Sequence, residues 1–354
     1  MAPQSEERLQ KDLNWNTDLI RTVGQGIEEA LSNSVHAVLH CDRNLAGTTI
    51  LGDYVVNRQT REIDRLIHAF VARHLPSAGH LRFVSAVLRL SVAMERIGDY
   101  TATISRTAVQ LSTLPPALVK RDIEMMLEHA RRMLHDSIRS FLGRDANLAK
   151  ATLTSANQFA HLYDKVFSDL AQEGDAHSRP SSDLFGFLAT FNRLERVIHQ
   201  AKNICEETIF LVTGQSKGEK VFQILFVDER NDGASQLAEH FTRKAFPNSG
   251  RYRSAGWKAA EEVDRKFADF ARQTGLDLGA AWPAPIASLV ETLDDFHVIV
   301  ALGKDAWQHL PKIPFHTTVV NWDLGGDLDP DATYRALAPR IRELMEVLRG
   351  EAAN

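Results

Sequence analysis

The stretch MERIGD, residues 94–99, and its counterpart LERVIH, residues 194–199, lie 100 positions apart at matching points of two long apolar repeats. In each repeat, apolar residues recur at intervals of three and four, the spacing that forms one stripe along an α-helix. The first stripe contains Phe83, Val87, Leu90, Met94, Ile97, Thr101, Ile104, Ala108 and Leu111, and the second contains Phe187, Phe191, Leu194, Ile198, Ala201, Cys205, Thr208 and Val212. Two such helices, each with one motif, predict an internal repeat of the chain.

Each motif helix is the last of a group of three. Similar spacing predicts four further helices, which run through residues 20–38, 49–74, 117–142 and 147–171. Pro115 and Pro116 separate the two groups, since proline marks the end of a helical pattern. Short connections make neighbouring helices antiparallel, so the sequence predicts two antiparallel three-helix bundles, residues 1–115 and 116–214.

The pattern changes after residue 214. A polar, glycine-containing stretch, residues 215–221, predicts a linker. Beyond it, from residue 222 to 350, short apolar runs alternate with amphipathic segments. The expected strands cover residues 222–227, 252–256, 296–302 and 317–322, and the expected helices cover residues 235–246, 263–274 and 334–349. This alternation predicts a small α/β domain with a parallel sheet and helices on both faces.

Composition narrows the classes of function. A net charge of −5 argues against a broad basic surface for nucleic acid. The two cysteines, Cys41 and Cys205, form no CxxC motif, which favours a reducing compartment. The N-terminal residues lack the apolar core of a signal peptide, and no apolar run approaches the roughly 18 residues of a membrane span. We therefore expect a cytoplasmic protein that does not insert into membranes.

The first motif places an acidic row beside the apolar stripe. Glu95, Asp99 and Thr103 follow one another at intervals of four, on the exposed side of the helix. Two carboxylates at this spacing repel each other by a few tenths of a kcal/mol, and a cation bound between them would reverse the sign. Because hard cations take oxygen ligands, this row is a candidate metal site.

The second motif supplies a different set of side chains: Glu195, His199 and Asn203. A histidine suits zinc or iron better than magnesium. The alternative interpretation is that both rows are solvated helix faces, where Arg96 and Arg196 neutralise the glutamates without any metal. The repetition of the motif in two bundles leaves both interpretations open.

These motifs carry a family resemblance. The matching stretches are AGHLR (78–82) and MERIGD (94–99) in the first half, and LERV (194–197), AKNICEE (201–207) and FLVTG (210–214) in the second. Over nearly all of residues 5–215 the chain resembles PhoU, the regulator of phosphate uptake. The resemblance implies two three-helix bundles, frequent dimerisation, and E/DxxxD motifs that can hold multinuclear metal clusters. It also implies cytoplasmic restraint of phosphate transport and of the phosphate-sensing histidine kinase.

The sequence departs from the PhoU pattern at two points. The usual His-Ala-x-Asn after the first aspartate is YTAT, residues 100–103, and the second aspartate is His199. The lost carboxylate lowers the negative charge available to a cluster. The metal ligands implied by the resemblance are Glu95, Asp99, Glu195, His199 and Asn203, with iron, zinc, magnesium or manganese as candidate ions.

The C-terminal domain carries a second resemblance. Residues 224–239 read ILFVDERNDGASQLAE and resemble the active-site loop of low-molecular-weight tyrosine phosphatases and arsenate reductases. That family has a strand, then Cys-x5-Arg-Ser, then a helix. Ser254-Ala255-Gly256 and Asp329-Pro330 match later motifs, and the resemblance implies a general acid at Asp329. It covers about residues 222–350.

Two groups that the chemistry needs are missing from this loop. The reaction uses a thiolate nucleophile and an arginine that grips two phosphate oxygens, but these positions hold Asp228 and Ala234. Asn231, Ser235 and Asp329 remain and can only shape or assist a site. The resemblance therefore predicts a catalytically inactive domain without a catalytic residue. Two alternatives are an aspartyl nucleophile with magnesium and a pocket for a cationic ligand.

We expect a regulator of phosphate uptake and phosphate-starvation signalling that acts through protein contacts and uses the inactive domain for sensing or docking. The expected partners are the ATPase subunit of a phosphate transporter, a phosphate-sensing histidine kinase, and a second copy of the chain. Two rival hypotheses are an enzyme with a rewired nucleophile, acting on phosphate esters or arsenate, and a metal-binding helical protein unrelated to phosphate.

Overall fold

The computed structural model describes residues 3–156, 162–176, 179–216, 218, 220–278, 281–325 and 329–350. The chain divides into two compact units, residues 1–218 and 219–354. The first is all-helical and the second combines a sheet with helices, so the predicted succession of architectures is confirmed. In the described ranges, no helix has the apolar length that a bilayer crossing requires.

The helical unit contains α1 to α7, whose bounds are Pro3–His40, Arg43–His74, Ala78–Gln110, Ala117–Gly143, Ala146–Ser155, Leu162–Ala176 and Ser181–Thr213. One helix was expected over residues 147–171. The structure has α5 and α6 in its place, and the part of the prediction that falls on residues 157–161 lies outside the described residues. The two motifs lie on α3 and α7, as expected.

Aspartates define where two of these helices begin. Asp42 accepts the backbone N–H groups of Asn44 and Leu45, both at 3.0 Å, and starts α2. Asp145 accepts the N–H groups of Asn147 and Leu148 at 2.9 Å and starts α5. Each carboxylate satisfies N–H groups that have no acceptor within the helix, which is why Asp is favoured at this position.

One continuous apolar core runs through the helical unit. The stripe residues of α3 are buried, and those of α7 are buried as far as Thr208. The last stripe residue of α7, Val212, is 41% exposed, so the prediction of a buried position was wrong there. The preceding residue, Leu211, is 7% exposed, so it takes the buried position near the end of α7.

The second unit is built on a four-stranded sheet. The strands β1 to β4 are Phe222–Asp228, Gly250–Gly256, Val298–Leu302 and Thr318–Trp322. Their order is β2-β1-β3-β4 and every neighbouring pair is parallel, which confirms the predicted parallel sheet. The α-helices among the described residues of this unit, α8 to α10, are Ala234–Ala245, Arg265–Gln273 and Pro330–Arg349.

The two faces of the sheet are covered differently. Alternate residues of β1 point to opposite faces, as the period of a strand requires. Ile224 and Phe226 pack in the core that α8, α9 and α10 complete, whereas Leu225 and Val227 pack against a 3-10 helical segment, Ile286–Asp295. Helices therefore lie on both faces, but the second face carries 3-10 turns where the sequence predicted α-helix on each side.

Candidate functional site

The acidic row of the first motif lies where the helical periodicity predicted it. On α3, Glu95 and Asp99 are exposed and Thr103 is half-buried. Met94, just before this row, and Ile97, within it, are buried in the core. The motif thus combines one face that packs with one face that is free to bind. That division follows from the period of 3.6 residues per turn.

A side chain of α2 joins this row. At Gly98, an added Cβ would lie 3.0 Å from Asp53 Oδ1 and 3.1 Å from a methyl group of Val56, so α2 and α3 approach closely there. Burial and then the negative charge of Asp99 raise the pKa of the Asp53 carboxyl above its ordinary value. Glu95 adds to this rise, while Arg106 opposes it. Asp53 and the first motif therefore form one acidic cluster.

Two oxygens in this cluster lack hydrogen-bond donors. Asn57 donates its amide to Asp53 Oδ2 at 3.2 Å. Within the described ranges, Asp53 Oδ1 and Asn57 Oδ1 are buried and accept no hydrogen bond. A buried acceptor without a donor costs about 1–3 kcal/mol. A hard cation or an added proton would satisfy these oxygens, because both bind to lone pairs.

The carboxylates of this cluster do not converge into a three-ligand metal site. In the part of the chain that the structure describes, no three His, Cys, Asp or Glu side chains lie close enough together to share one metal ion. Asp53 and Asn57 were not among the residues predicted from the sequence. Their spacing of four on α2, the same spacing as Glu95 and Asp99, is the signal that could have found them.

The second motif is placed on α7 in a different setting. Glu195 is half-buried, while His199 and Asn203 are exposed. Asn203 donates its amide to Gln200 Oε1 at 3.3 Å. The three predicted residues therefore lie on one helix, and the Asn203 amide is engaged by Gln200 of the same helix.

A cavity of about 440 Å³ lies between α3 and α7. Arg96 of the first motif helix and Asn203 of the second both line it. At its rim, Arg89 makes two N–H contacts with the Glu207 carboxylate, at 3.0 and 3.1 Å. The two motif helices are therefore neighbours, and one residue from each motif region reaches this shared groove.

In the second unit, Asp228 ends β1 at the start of the phosphatase-like loop. Its Oδ1 accepts the N–H of Asn231 at 2.5 Å, and its Oδ2 accepts the N–H of Ser235 at 2.8 Å. Burial raises the pKa of the Asp228 carboxyl, while the hydrogen bonds from Ser235 and Asn231 act in the opposite direction and the charge of Asp232 adds to the rise. Both carboxyl oxygens are thus engaged by the backbone.

The Asn231 side chain holds the loop closed. It is fully buried, donates to Ser235 Oγ at 2.8 Å, and accepts from Gln236 Nε2 at 3.0 Å and from the Ala284 N–H at 2.7 Å. Its φ of +52° lies in the left-handed region, which asparagine tolerates better than most residues. Asn231 and Ser235 are therefore brought together with Asp228.

The remaining predicted positions have structural roles. Ala234 is the first residue of α8. Asp329 is exposed and accepts the Ala332 N–H at 2.8 Å, so it begins α10 ahead of Pro330. Arg230, the arginine of the loop, is 65% exposed in its side chain and pairs with Asp232 at 2.6 Å.

A helical unit with motifs at matching points of α3 and α7 defines a class of helical protein with an internal repeat. The PhoU domain model matches residues 20–108 and 123–208. The helical unit of this chain therefore belongs to the PhoU domain family and contains two copies of the domain.

Individual relatives agree with this assignment. The phosphate-specific transport system accessory protein PhoU of Edwardsiella tarda is 26% identical over 227 residues, covering 63% of this chain and 93% of that protein. The protein of the same name from Escherichia coli K12 is 28% identical over 196 residues, covering 55% and 81%. The crystal structure of PhoU from Streptococcus pneumoniae is 23% identical with a TM-score of 0.55, covering 59% of this chain and 99% of that one. This last similarity concerns the fold.

Proposed function

We propose that this protein is an accessory regulator of phosphate uptake and phosphate-starvation signalling that acts in the cytoplasm through protein contacts. The observation that carries the proposal is the pair of PhoU domains with an acidic motif at the matching point of α3 and α7. The relatives that match 55–63% of this chain are phosphate-specific transport system accessory proteins. The proposed partners are a transporter ATPase subunit, a phosphate-sensing histidine kinase, and a second copy of the chain.

A metal ion would assist this role at the acidic cluster. A shift of the Glu95 and Asp99 side chains towards Asp53 and Asn57 would bring their oxygen atoms around one divalent or trivalent cation, iron, magnesium or manganese. The two buried oxygens without donors support this fit. A cation there would neutralise the repulsion around Asp53 and fix α2 against α3, so it would set the shape of the surface that these helices present.

The second motif would bind metal with a different preference. Glu195, His199 and Asn203 combine one carboxylate, one imidazole and one amide, a set that suits zinc or iron. Since His199 and Asn203 are exposed, a metal there would lie on the surface of α7. Elemental analysis of protein purified without chelator, compared between wild type and Glu195→Ala, tests this part alone.

The second unit is proposed to be a catalytically inactive sensing or docking domain. Its support is chemical: Asp228 stands at the nucleophile position with both oxygens engaged by backbone N–H groups, and Ala234 stands at the arginine position. A nucleophile needs a free lone pair aimed at the substrate. We expect purified protein to hydrolyse an aryl phosphate no faster than the buffer, with or without magnesium.

A genetic experiment tests the regulatory role. Deleting the gene should derepress phosphate uptake and a phosphate-starvation reporter, and wild-type protein should restore repression. The double variant Glu95→Ala plus Asp99→Ala should restore it poorly at equal protein level. Glu128→Ala, which removes an exposed carboxylate on α4, is the matched control and should restore it fully. An unchanged phosphate response on deletion would contradict the proposed function.

A further inference from the structure

The loop after β1 presents backbone donors to a single point. The N–H groups of Asn231 and Ser235 both end on the Asp228 carboxylate, at 2.5 and 2.8 Å. Ser235 lies in the first turn of α8, where N–H groups have no intrahelical acceptor and favour negative charge. Both oxygens of this carboxylate thus accept backbone donors, and these hydrogen bonds favour its ionised form against burial and the charge of Asp232, which raise its pKa.

The loop keeps its shape through bonds that do not involve the Asp228 side chain. The N–H groups of Trp257, Lys258 and Ala260 donate to the carbonyls of residues 228, 229 and 230, at 3.3, 2.7 and 2.8 Å. An added Cβ on Gly256 would lie 2.9 Å from loop backbone, so β2 packs directly against it. The donors would therefore stay in place if the carboxylate were removed.

The arginine of the loop does not compete for this position. Arg230 is turned to solvent and held by Asp232 at 2.6 Å. The charge of Asp228 is therefore balanced by backbone dipoles, the same kind of partner that a bound oxyanion would use.

We propose that Asp228 is a built-in anion: its carboxylate occupies the donors of the loop and closes the second unit to free tetrahedral oxyanions. The loop is thus closed by one side chain rather than by collapse of its backbone. This inference does not depend on the phosphate-uptake role of the helical unit, since a wrong regulatory proposal would leave the loop contacts unchanged.

The test is a titration of inorganic phosphate into the full-length ¹⁵N-labelled chain, read at the amide resonances of Asn231 and Ser235. In wild type these resonances should not move at millimolar phosphate. In Asp228→Gly they should move saturably, with an affinity at least about tenfold above that of wild type. Movement in wild type as large as in the variant would overturn the proposal, as would a folded Asp228→Gly that does not respond.

A matched control distinguishes phosphate binding by the loop after β1 from phosphate binding at the N-terminus of another helix. Asp264 also accepts backbone N–H groups, from Lys266 at 2.7 Å and Phe267 at 3.4 Å, but it is exposed. Asp264→Gly should show no saturable response at these two amides, so an equal response there would overturn the proposal by showing that any uncapped helix of this unit takes phosphate.

A second variant decides the matter if Asp228→Gly fails to fold. Asp228→Asn keeps the size of the side chain but turns an NH₂ group towards one of the two N–H donors. The freed amide, Asn231 or Ser235, should exchange its hydrogen about tenfold faster than in wild type. Unchanged protection of both amides would show that the carboxylate does not hold them and would overturn the proposal.

Discussion

Replacing Asp53 by asparagine should stabilise the metal-free protein. In wild type, the Asp53 carboxyl faces the charges of Asp99 and Glu95, and Asn57 Oδ1 beside it is buried without a donor. The asparagine keeps an oxygen for the Asn57 amide and adds a donor to the cluster. One new hydrogen bond is worth about 1 kcal/mol, and relief of two carboxylate repulsions adds a few tenths each. The expected gain is about 1–2 kcal/mol.

The sign of the pH dependence follows from the raised pKa of Asp53. A carboxyl whose pKa is higher in the folded than in the unfolded protein destabilises the fold at pH values above both. This cost disappears as the pH falls through the folded pKa towards the ordinary value of about 3.9. The advantage of Asp53→Asn over wild type should therefore be largest at neutral pH and shrink on acidification.

The assay is urea unfolding in the presence of a chelator, followed by circular dichroism at a helix-sensitive wavelength. Asp64→Asn is the matched control, because Asp64 lies on the same helix and its Oδ1 is also buried without a partner in the described ranges. If Asp53→Asn destabilises the chelated protein, or gains no more than Asp64→Asn does, the proposed repulsion around Asp53 is wrong.

Bound metal should favour wild type over Asp53→Asn, the opposite of the order expected for the metal-free proteins. If manganese or iron binds the cluster, it should raise the melting temperature of wild type, because a ligand that binds only the folded state stabilises it. Asp53→Asn removes one anionic ligand, so its rise should be smaller. An equal rise in both proteins would place the metal elsewhere.

Three further outcomes follow from single contacts. Asp183, 1% exposed, accepts both backbone N–H groups and both hydroxyls of Ser112 and Thr113, so Asp183→Ala should cost about 3 kcal/mol in urea unfolding. These hydrogen bonds outweigh burial and hold the pKa of Asp183 below its ordinary value. Its stabilisation should therefore persist above about pH 4 and fade below it, whereas Asp183→Asn shows no such loss. Gly256→Ala should lower the stability of the second unit by about 1–3 kcal/mol, read by tryptophan fluorescence, because its Cβ would meet loop backbone at 2.9 Å. Asp329→Ala should cost about 1 kcal/mol by the same measurement, since it removes the cap of α10, and, like wild type, it should show no phosphate response at Asn231 and Ser235.

The helical repeat could be predicted because burial along a helix is periodic in sequence. Met94 and Ile97 of α3 and Leu194 and Ile198 of α7 are buried as their spacing requires. Val212 failed because steps of three and of four both satisfy the helical period, and after Thr208 the buried residue is Leu211. Which of the two steps continues the buried stripe depends on the packing partner, which is a tertiary property.

The residues and backbone groups that contact the predicted site residues could not be predicted from the sequence, for a related reason. Asp53 lies near Asp99 because of the axial register of α2 against α3. This register is fixed where Gly98 lets the two backbones approach. The donors of Asp228 are backbone N–H groups, which every residue except proline has and which therefore leave no signature. The 3-10 segment Ile286–Asp295 lacks the spacing of an α-helix and was missed for that reason.

The two candidate sites use the same chemical group in opposite electrostatic settings. Around Asp53, carboxylates face one another and two oxygens lack donors, so the cluster is stabilised by adding positive charge. Around Asp228, two donors already meet the carboxylate and nothing further is required. A ligand changes the energy of the first arrangement far more than that of the second. Ligand-dependent regulation should therefore originate at the contact between α2 and α3, and variants there should alter signalling where Asp228→Asn does not.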